Sequence, residues 1–330
     1  MQFLNTVINK ARKKRQNIVL AEGEDLRIIE AASRASRDGV ANCILIGNQD
    51  VIRRQAQDSG FSLTDIRIED PANSQYHHGY SQTLRELRKH KGMTLAEAEL
   101  QLLDPLCFAD VMLRCDDADG SIAGARYTTG DRVRSALQIV GVAEGFKSVS
   151  SFMLMLLEAE HHQPKQAMIF SDCALIIDPQ SEQLAEIAVA AVQSARQLIN
   201  DEPRVAMLSF SSEGSASHVL VDRVREATEL ARRQMPEVAI DGEVQLDAAI
   251  VASVAQQKLS RSQTHGTANV LIFPDLNAGN IGYKIAQRFG EVTAIGPILQ
   301  GLSRPANDLS RGCNADDVYY LIALTAVQSQ

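Results

Sequence analysis

Short apolar runs alternating with amphipathic stretches constrain this chain most. Asn17-Ile18-Val19-Leu20 and Cys43-Ile44-Leu45-Ile46 have the length and content of strands, the second ending at Gly47-Asn48. Between them, Ala21-Glu22-Gly23-Glu24-Asp25 reads as a turn and Ile28 to Ala35 as a helix. Tyr80 to His90, Ala96 to Leu103 (capped by Thr94) and Thr129 to Val140 also carry helical patterns. A second such run starts near Ser148. Strands are expected at Ser151–Leu156, Ala167–Phe170, Leu175–Ile177, Val205–Leu208, Val238–Ile240 and Val270–Phe273. Helices are expected at Glu182–Ile199 (capped by Ser181), Ala216–Arg233, Asp247–Lys258 and Ala278–Phe289. Such alternation predicts parallel sheets covered by helices, an α/β chain. At 330 residues the chain exceeds one ordinary core, so two domains are expected.

Several function classes fall away. A formal charge of -8 argues against a general nucleic-acid binder. No apolar run reaches the ~18 residues a membrane helix needs, and no secretory signal is visible in Met1 to Arg15. The five cysteines are widely spaced and fit reduced cytoplasmic thiols. The doublets His77-His78 and His161-His162 lie near no Cys, so no metal site is expected. Asp116 to Gly124 is acidic and glycine-punctuated but lacks the calcium-loop spacing. Neither the G-x-G-x-x-G fingerprint nor the P-loop occurs.

The stretch Gly296 to Cys313 is long, irregular and rich in Gly and Pro. It lies between a strand-like Val292–Ile295 and a helical Asp316–Val327. A loop of about eighteen residues is more often functional than incidental. Asn307, Asp308, Ser310 and Arg311 fall within it, and Asp317 follows. Arg offers a donor fork for phosphate, Ser a small donor, Asp a base. Arg311 pairing with Asp308, and Asp317 completing a capping box with Asn314, are the plain structural alternatives. Likewise Arg88 suits the basic last turn of a helix closed by Gly92, and Cys313 reads as a packed thiol. Thr128 and Thr129 open a helix bearing Arg134, a plausible anion seat.

Seven blocks together resemble the phosphate acetyltransferases (phosphotransacetylases) in their short single-module form. They are IVLAEGED (18–25), LRKHKGMT (87–94), TTGDRVRSALQ (128–138), FSDCALIIDP (170–179), DGEVQLDAA (241–249), FPDLNAGNIGYKIAQR (273–288) and GPILQGLSRPANDLSRGC (296–313). They run in register over essentially the whole chain. The resemblance implies reversible acetyl transfer between coenzyme A and inorganic phosphate, with no cofactor beyond the substrate coenzyme A. It implies two three-layer α/β domains with mainly parallel sheets and an interdomain cleft, like the isocitrate and isopropylmalate dehydrogenases. Residues 1–147 and 300–330 would form the first domain, carrying the catalytic loop. Residues 148–299 would form the second, making a homodimer. Ser310, Arg311 and Asp317 carry over as catalytic, and Arg88, Arg134, Arg288, Asn307 and Thr129 as substrate-binding. Ser135 stands where the family is expected to have Pro, and Glu213 where a basic residue is common.

The residues suit that chemistry. Both substrates are polyanions, and four arginines gathered from distant blocks of an acidic chain answer that need. A thiol near pKa ~8.5 and a carboxyl near ~3.9 differ by about 6 kcal/mol against full proton transfer. Proton transfer to Asp317 must therefore accompany thiolate attack, or burial must raise the carboxyl. Ser310 would donate to the developing oxyanion; an acyl-serine route lacks a His in the blocks beside it. A phosphate butyryltransferase would share this mechanism. A non-catalytic module of the malic-enzyme type is disfavoured by the intact Ser310, Arg311 and Asp317. An NAD-dependent decarboxylating dehydrogenase would need a metal-binding aspartate set that is not found.

Overall fold

A computed structural model of the chain describes residues 2–162 and 165–330. Two compact units result: Met1–Gly145 with Leu302–Gln330, and Phe146–Gly301. In chain order the strands are β1 (Asn17–Leu20), β2 (Asn42–Ile46), β3 (Arg67–Glu69), β4 (Gly120–Ala123), β5 (Ser150–Leu157), β6 (Gln166–Ser171), β7 (Arg204–Leu208), β8 (Ala239–Val244), β9 (Val270–Ile272), β10 (Thr293–Gln300) and β11 (Ala306–Asp308). The helices are α1 (Gln2–Lys13), α2 (Leu26–Arg37), α3 (Gln49–Ser59), α4 (His77–Arg88), α5 (Leu95–Gln101), α6 (Pro105–Arg114), α7 (Thr129–Ser135), α8 (Ser181–Leu198), α9 (Val219–Gln234), α10 (Leu246–Ile250), α11 (Ala252–Lys258), α12 (Leu276–Phe289) and α13 (Ala315–Gln328).

The first unit holds a five-stranded sheet in the order β11-β4-β1-β2-β3, every pairing parallel. Its central strands are buried on both faces, which is why they read as unbroken apolar runs. Tyr80, Leu84, Leu102, Phe108 and Met112 pack with Val19, Ile44 and Ile46. The helix α13 is buried along most of its length from Val318 to Val327, as a helix apolar all round must be.

The second unit holds a six-stranded sheet in the order β10-β5-β6-β9-β7-β8. The β6–β9, β9–β7 and β7–β8 pairings are parallel, while β10–β5 and β5–β6 are antiparallel. Both sheets are thus mainly parallel, as the alternation predicts.

Some sequence expectations are corrected. Leu175–Ile177 is not a strand: the amides of Ala174, Leu175 and Ile176 fold round the Asp172 carboxylate at 2.9–3.2 Å. The 247–258 helix breaks at Val251 into α10 and α11. The hydroxyl of Ser181 donates to Glu226 instead of capping α8; Gln183 Oε1 accepts from Gln180 N at that end. The loop from 296 to 313 shrinks, because β10 continues through Gln300 and Ala306–Asp308 pairs with β4.

Candidate active site

Three neighbouring parallel strands, β1, β4 and β11, end at one edge of the first sheet. Leu20 pairs with Ile122, and Ile122 with Asn307. The turns after them, residues 21–25, 124–128 and 309–314, therefore meet. This carboxyl edge is where open α/β sheets bind ligands.

Carboxylates knit the turns together. Buried Glu22 accepts from four successive amides: Gly124 at 3.0 Å, Ala125 at 2.9 Å, Arg126 at 2.6 Å and Tyr127 at 2.9 Å. Gly124 has φ +117°, and a Cβ there would strike Asp308 Oδ1 and come within 2.5 Å of the Leu309 carbonyl oxygen. Asp25 caps α2 and pairs bidentately with Arg27, both contacts at 2.9 Å. The Arg27 hydrogen bond holds the Asp25 carboxyl below its usual range, against the opposing pull of burial. Arg27 also donates to the carbonyls of Arg311 (2.8 Å), Cys313 (3.0 Å) and Ala125 (3.0 Å).

The turn so held presents the candidate residues. Ser310, Arg311 and Gly312 are exposed. Ser310 Oγ accepts from Gly312 N at 3.2 Å, and its carbonyl from Cys313 N at 2.9 Å. Among the described residues the Arg311 guanidinium makes no ion pair, so the alternative pairing with Asp308 does not occur. Cys313 is buried, and burial pushes its thiol pKa up. Asp317 is exposed and does complete a capping box: its Oδ2 accepts from Asn314 N at 2.9 Å, and Asn314 Oδ1 from Asp317 N at 3.0 Å. Its Oδ1 accepts no hydrogen bond from the described residues. Asp316 pairs instead with Arg34 at 2.6 Å.

Asp308 is the buried member of the group. Thr129, the first residue of α7, donates to its Oδ2 at 2.7 Å, while Oδ1 is buried with no partner among the described residues. Burial pushes its pKa up to about 6, against the Thr129 hydrogen bond and the Arg132 charge. Behind it lies an ion pair with no exposure, Arg132–Asp110 at 2.7 Å. Arg132 Nε also donates to the Asn307 carbonyl at 3.1 Å, and Arg132 Nη2 to Ser121 at 2.7 Å.

The other residues expected at the substrate lie on separate elements. Arg88 ends α4, half-buried, with its helix closed beyond by Gly92 at φ +80°. Arg134 is exposed and pairs with Asp131 at 2.9 Å, beside a depression lined by Asp104, Tyr127 and Gln138. Arg288 is exposed in the last turn of α12, in the second unit. The Asn307 side chain is fully buried, and its amide donates to Thr325 at 2.9 Å and Gln328 at 2.7 Å, bracing β11 against α13. The polar residues of the second sheet are likewise satisfied locally. Asp241 accepts from Ser262, Gln263 and Thr264, and Glu243 from Ser211 and Gly214.

The family model for the phosphate acetyl/butaryl transferases matches residues 2–326. The chain belongs to this family. A phosphate acetyltransferase of Acetivibrio thermocellus is 47% identical over 330 residues, 100% of this chain and 99% of that protein. A solved phosphotransacetylase from Streptococcus pyogenes superposes with a TM-score of 0.94 at 41% identity, covering 99% of this chain and 98% of that one. A 4-hydroxythreonine-4-phosphate dehydrogenase from Burkholderia phymatum, at 11% identity and TM-score 0.54 over 94% of this chain and 98% of that one, shares the fold alone.

For a phosphate acetyl/butaryl transferase the two departures have local explanations. Ser135 donates to Asp110 Oδ2 at 2.6 Å and joins the buried ion network. Glu213 accepts from the Ser260 amide at 2.8 Å and the Arg261 amide at 3.2 Å. Sequence reasoning assigns no role to Glu22, Asp25 or Arg27: it reads residues 21–25 as a turn within one of the seven blocks and starts the helix at Ile28. The available signal was an acidic cluster directly after a buried strand. The resemblance carries over Arg134 from the TTGDRVR stretch, and Arg132, two residues earlier, is given no role. Arg132 shares the buried face of that segment with Ala136 and Val140, while Leu137 is 43% exposed.

Proposed function

We propose that the chain transfers an acetyl group reversibly between coenzyme A and inorganic phosphate. The carrying observation is a full-length match to acetyltransferases, built round a turn that offers Ser310 and an unpaired Arg311 at the ligand-binding edge of a parallel sheet. In the direction of acetyl-coenzyme A, the coenzyme thiol attacks the acetyl phosphate carbonyl. The S–C bond forms, the C–O bond to phosphorus breaks, and phosphate departs with the electron pair. Arg311 holds phosphoryl oxygens through its guanidinium fork. Ser310 donates to the developing oxyanion. Asp317 takes the thiol proton on Oδ1, the oxygen its cap leaves over. Arg88, Arg134 and Arg288 serve the coenzyme phosphates, and Thr129 lines the anion seat while holding Asp308. Coenzyme A is a substrate here, and no other cofactor takes part. Nothing favours a butyryl over an acetyl substrate.

The chain acts as a cytoplasmic homodimer in this reading. Five free thiols suit a reducing compartment. On α12, Ile281, Ile285 and Phe289 recur every four residues and are 56%, 54% and 86% exposed. Such an apolar stripe favours a covered surface.

Thiol release from acetyl-coenzyme A by the pure protein should depend on added phosphate. Release that ignores phosphate would sink the reading. Ser310→Ala should bind acetyl-coenzyme A normally and turn over about 10²–10³-fold more slowly, as loss of one oxyanion donor does. An acetylated Ser310 found by peptide mapping would establish the covalent route instead.

A further inference from the structure

We propose that Arg27 is a positioning residue for acyl transfer, fixing the Ser310–Cys313 turn that presents Ser310 and Arg311. The inference rests on the reading above, in which that turn carries the reacting groups.

A guanidinium has five N–H donors, and each of the five on Arg27 has a protein acceptor. Nε and one Nη2 hydrogen go to the two Asp25 oxygens. The second Nη2 hydrogen goes to the Ala125 carbonyl. The Nη1 hydrogens go to the carbonyls of Arg311 and Cys313. No donor remains for a substrate phosphate, although the side chain is 31% exposed beside the site. Its charge is matched by Asp25, so its contribution is geometric.

The turn it grips has little else to set it. Two short-range bonds to Ser310 close it internally, and α13 does not begin until Ala315. Fixing the Arg311 carbonyl fixes the peptide plane between Arg311 and Gly312, and with it the direction in which the Arg311 side chain leaves the backbone. The other end of the clamp is firm. Asp25 is the cap of α2, accepting from Arg27 N at 3.0 Å, and also pairs with Arg126 at 3.3 Å. Arg27 thus joins the turn after β11 to the turns after β1 and β4. Lys cannot replace it: three donors on one nitrogen do not reach acceptors spread round a planar fork.

The test compares Arg27→Lys and Arg27→Gln with the wild type. Both should lower kcat by about 10–100-fold, the cost of a misplacement near 1 Å, while the KM for coenzyme A stays within about twofold. A thiol reagent should modify Cys313, whose sulfur lies 3.7 Å from Arg27 Nη1, faster in both variants. Half-buried Cys115, beside Thr83, serves as the internal reference and should react at its wild-type rate. Arg37→Gln, on the same helix and, among the described residues, ion-paired only with Asp38, should behave as wild type. Wild-type kcat in Arg27→Lys would overturn the proposal, since charge alone would then suffice. So would loss of helical circular dichroism in both variants, which would make Arg27 a residue of the fold and not of the turn. Wild-type rates in Ser310→Ala and Arg311→Ala would sink the underlying reading of the turn, whatever the Arg27 variants do.

Discussion

Asp317 completes a capping box and, in the proposed mechanism, is also the base. One oxygen caps α13 and the other accepts nothing from the described residues. Asn retains an acceptor for the cap and loses the proposed base. Asp317→Asn should therefore cost about 1 kcal/mol or less in stability but slow turnover by about 10²–10⁴-fold. Thermal melting beside a pH–rate profile separates the two, and a variant that keeps most of the wild-type rate would exclude Asp317 as base. Asp308 poses a different residue-scale problem, since burial raises it to about 6 from an ordinary 3.8. Thr129 and Arg132 oppose the shift, and Glu22 adds to it. Between those values the folded chain binds more protons than the unfolded one, so this group's contribution to stability rises as pH falls. The cost of its charge is complete above pH 6 and fades towards pH 4, on the order of 3 kcal/mol. Asp308→Asn should lack that dependence. Denaturant midpoints of both proteins between pH 4.5 and 7.5 check it: their difference should change across the window, and a constant difference would contradict the assignment.

At the scale of elements, α6, α7, β4 and β11 are joined through one buried charge pair. Arg132 from α7 meets Asp110 from α6, Ser121 from β4 and the carbonyl of Asn307 on β11. Removing one partner strands a buried charge. Arg132→Met should destabilise the fold by about 3–5 kcal/mol, whereas Arg132→Met with Asp110→Leu should recover much of that loss. Denaturant unfolding of the two single variants and the pair forms the cycle. Equal loss in the single and double variants would mean that the pair does not act as a unit.

At the scale of the whole molecule, the α12 stripe is the testable feature. Ile285→Glu with Phe289→Glu places two charges on an exposed apolar face, so the folded helix has no reason to melt. If the chain is the proposed homodimer, light scattering should report half the wild-type mass with helix content unchanged. An unchanged mass would remove α12 from the subunit contact.

The α/β class and most strands were legible because parallel strands buried on both faces must be apolar throughout. The capping box at Asn314 and Asp317 was legible because its partners lie three residues apart. β3 and β4 left no such trace: β4 is Gly120-Ser121-Ile122-Ala123, small residues that become a strand only between β11 and β1. The candidate turn itself was visible as residue types in one stretch. What holds it was not, because Arg27 and Arg311 are 284 positions apart, and Glu22 lies 102 positions from the amides it begins to collect at Gly124. Local pattern fixes which residues can be a helix, a strand or a cap. Only strand order β11-β4-β1 decided which turns share an edge, and hence which buried carboxylate and which arginine stand behind Ser310.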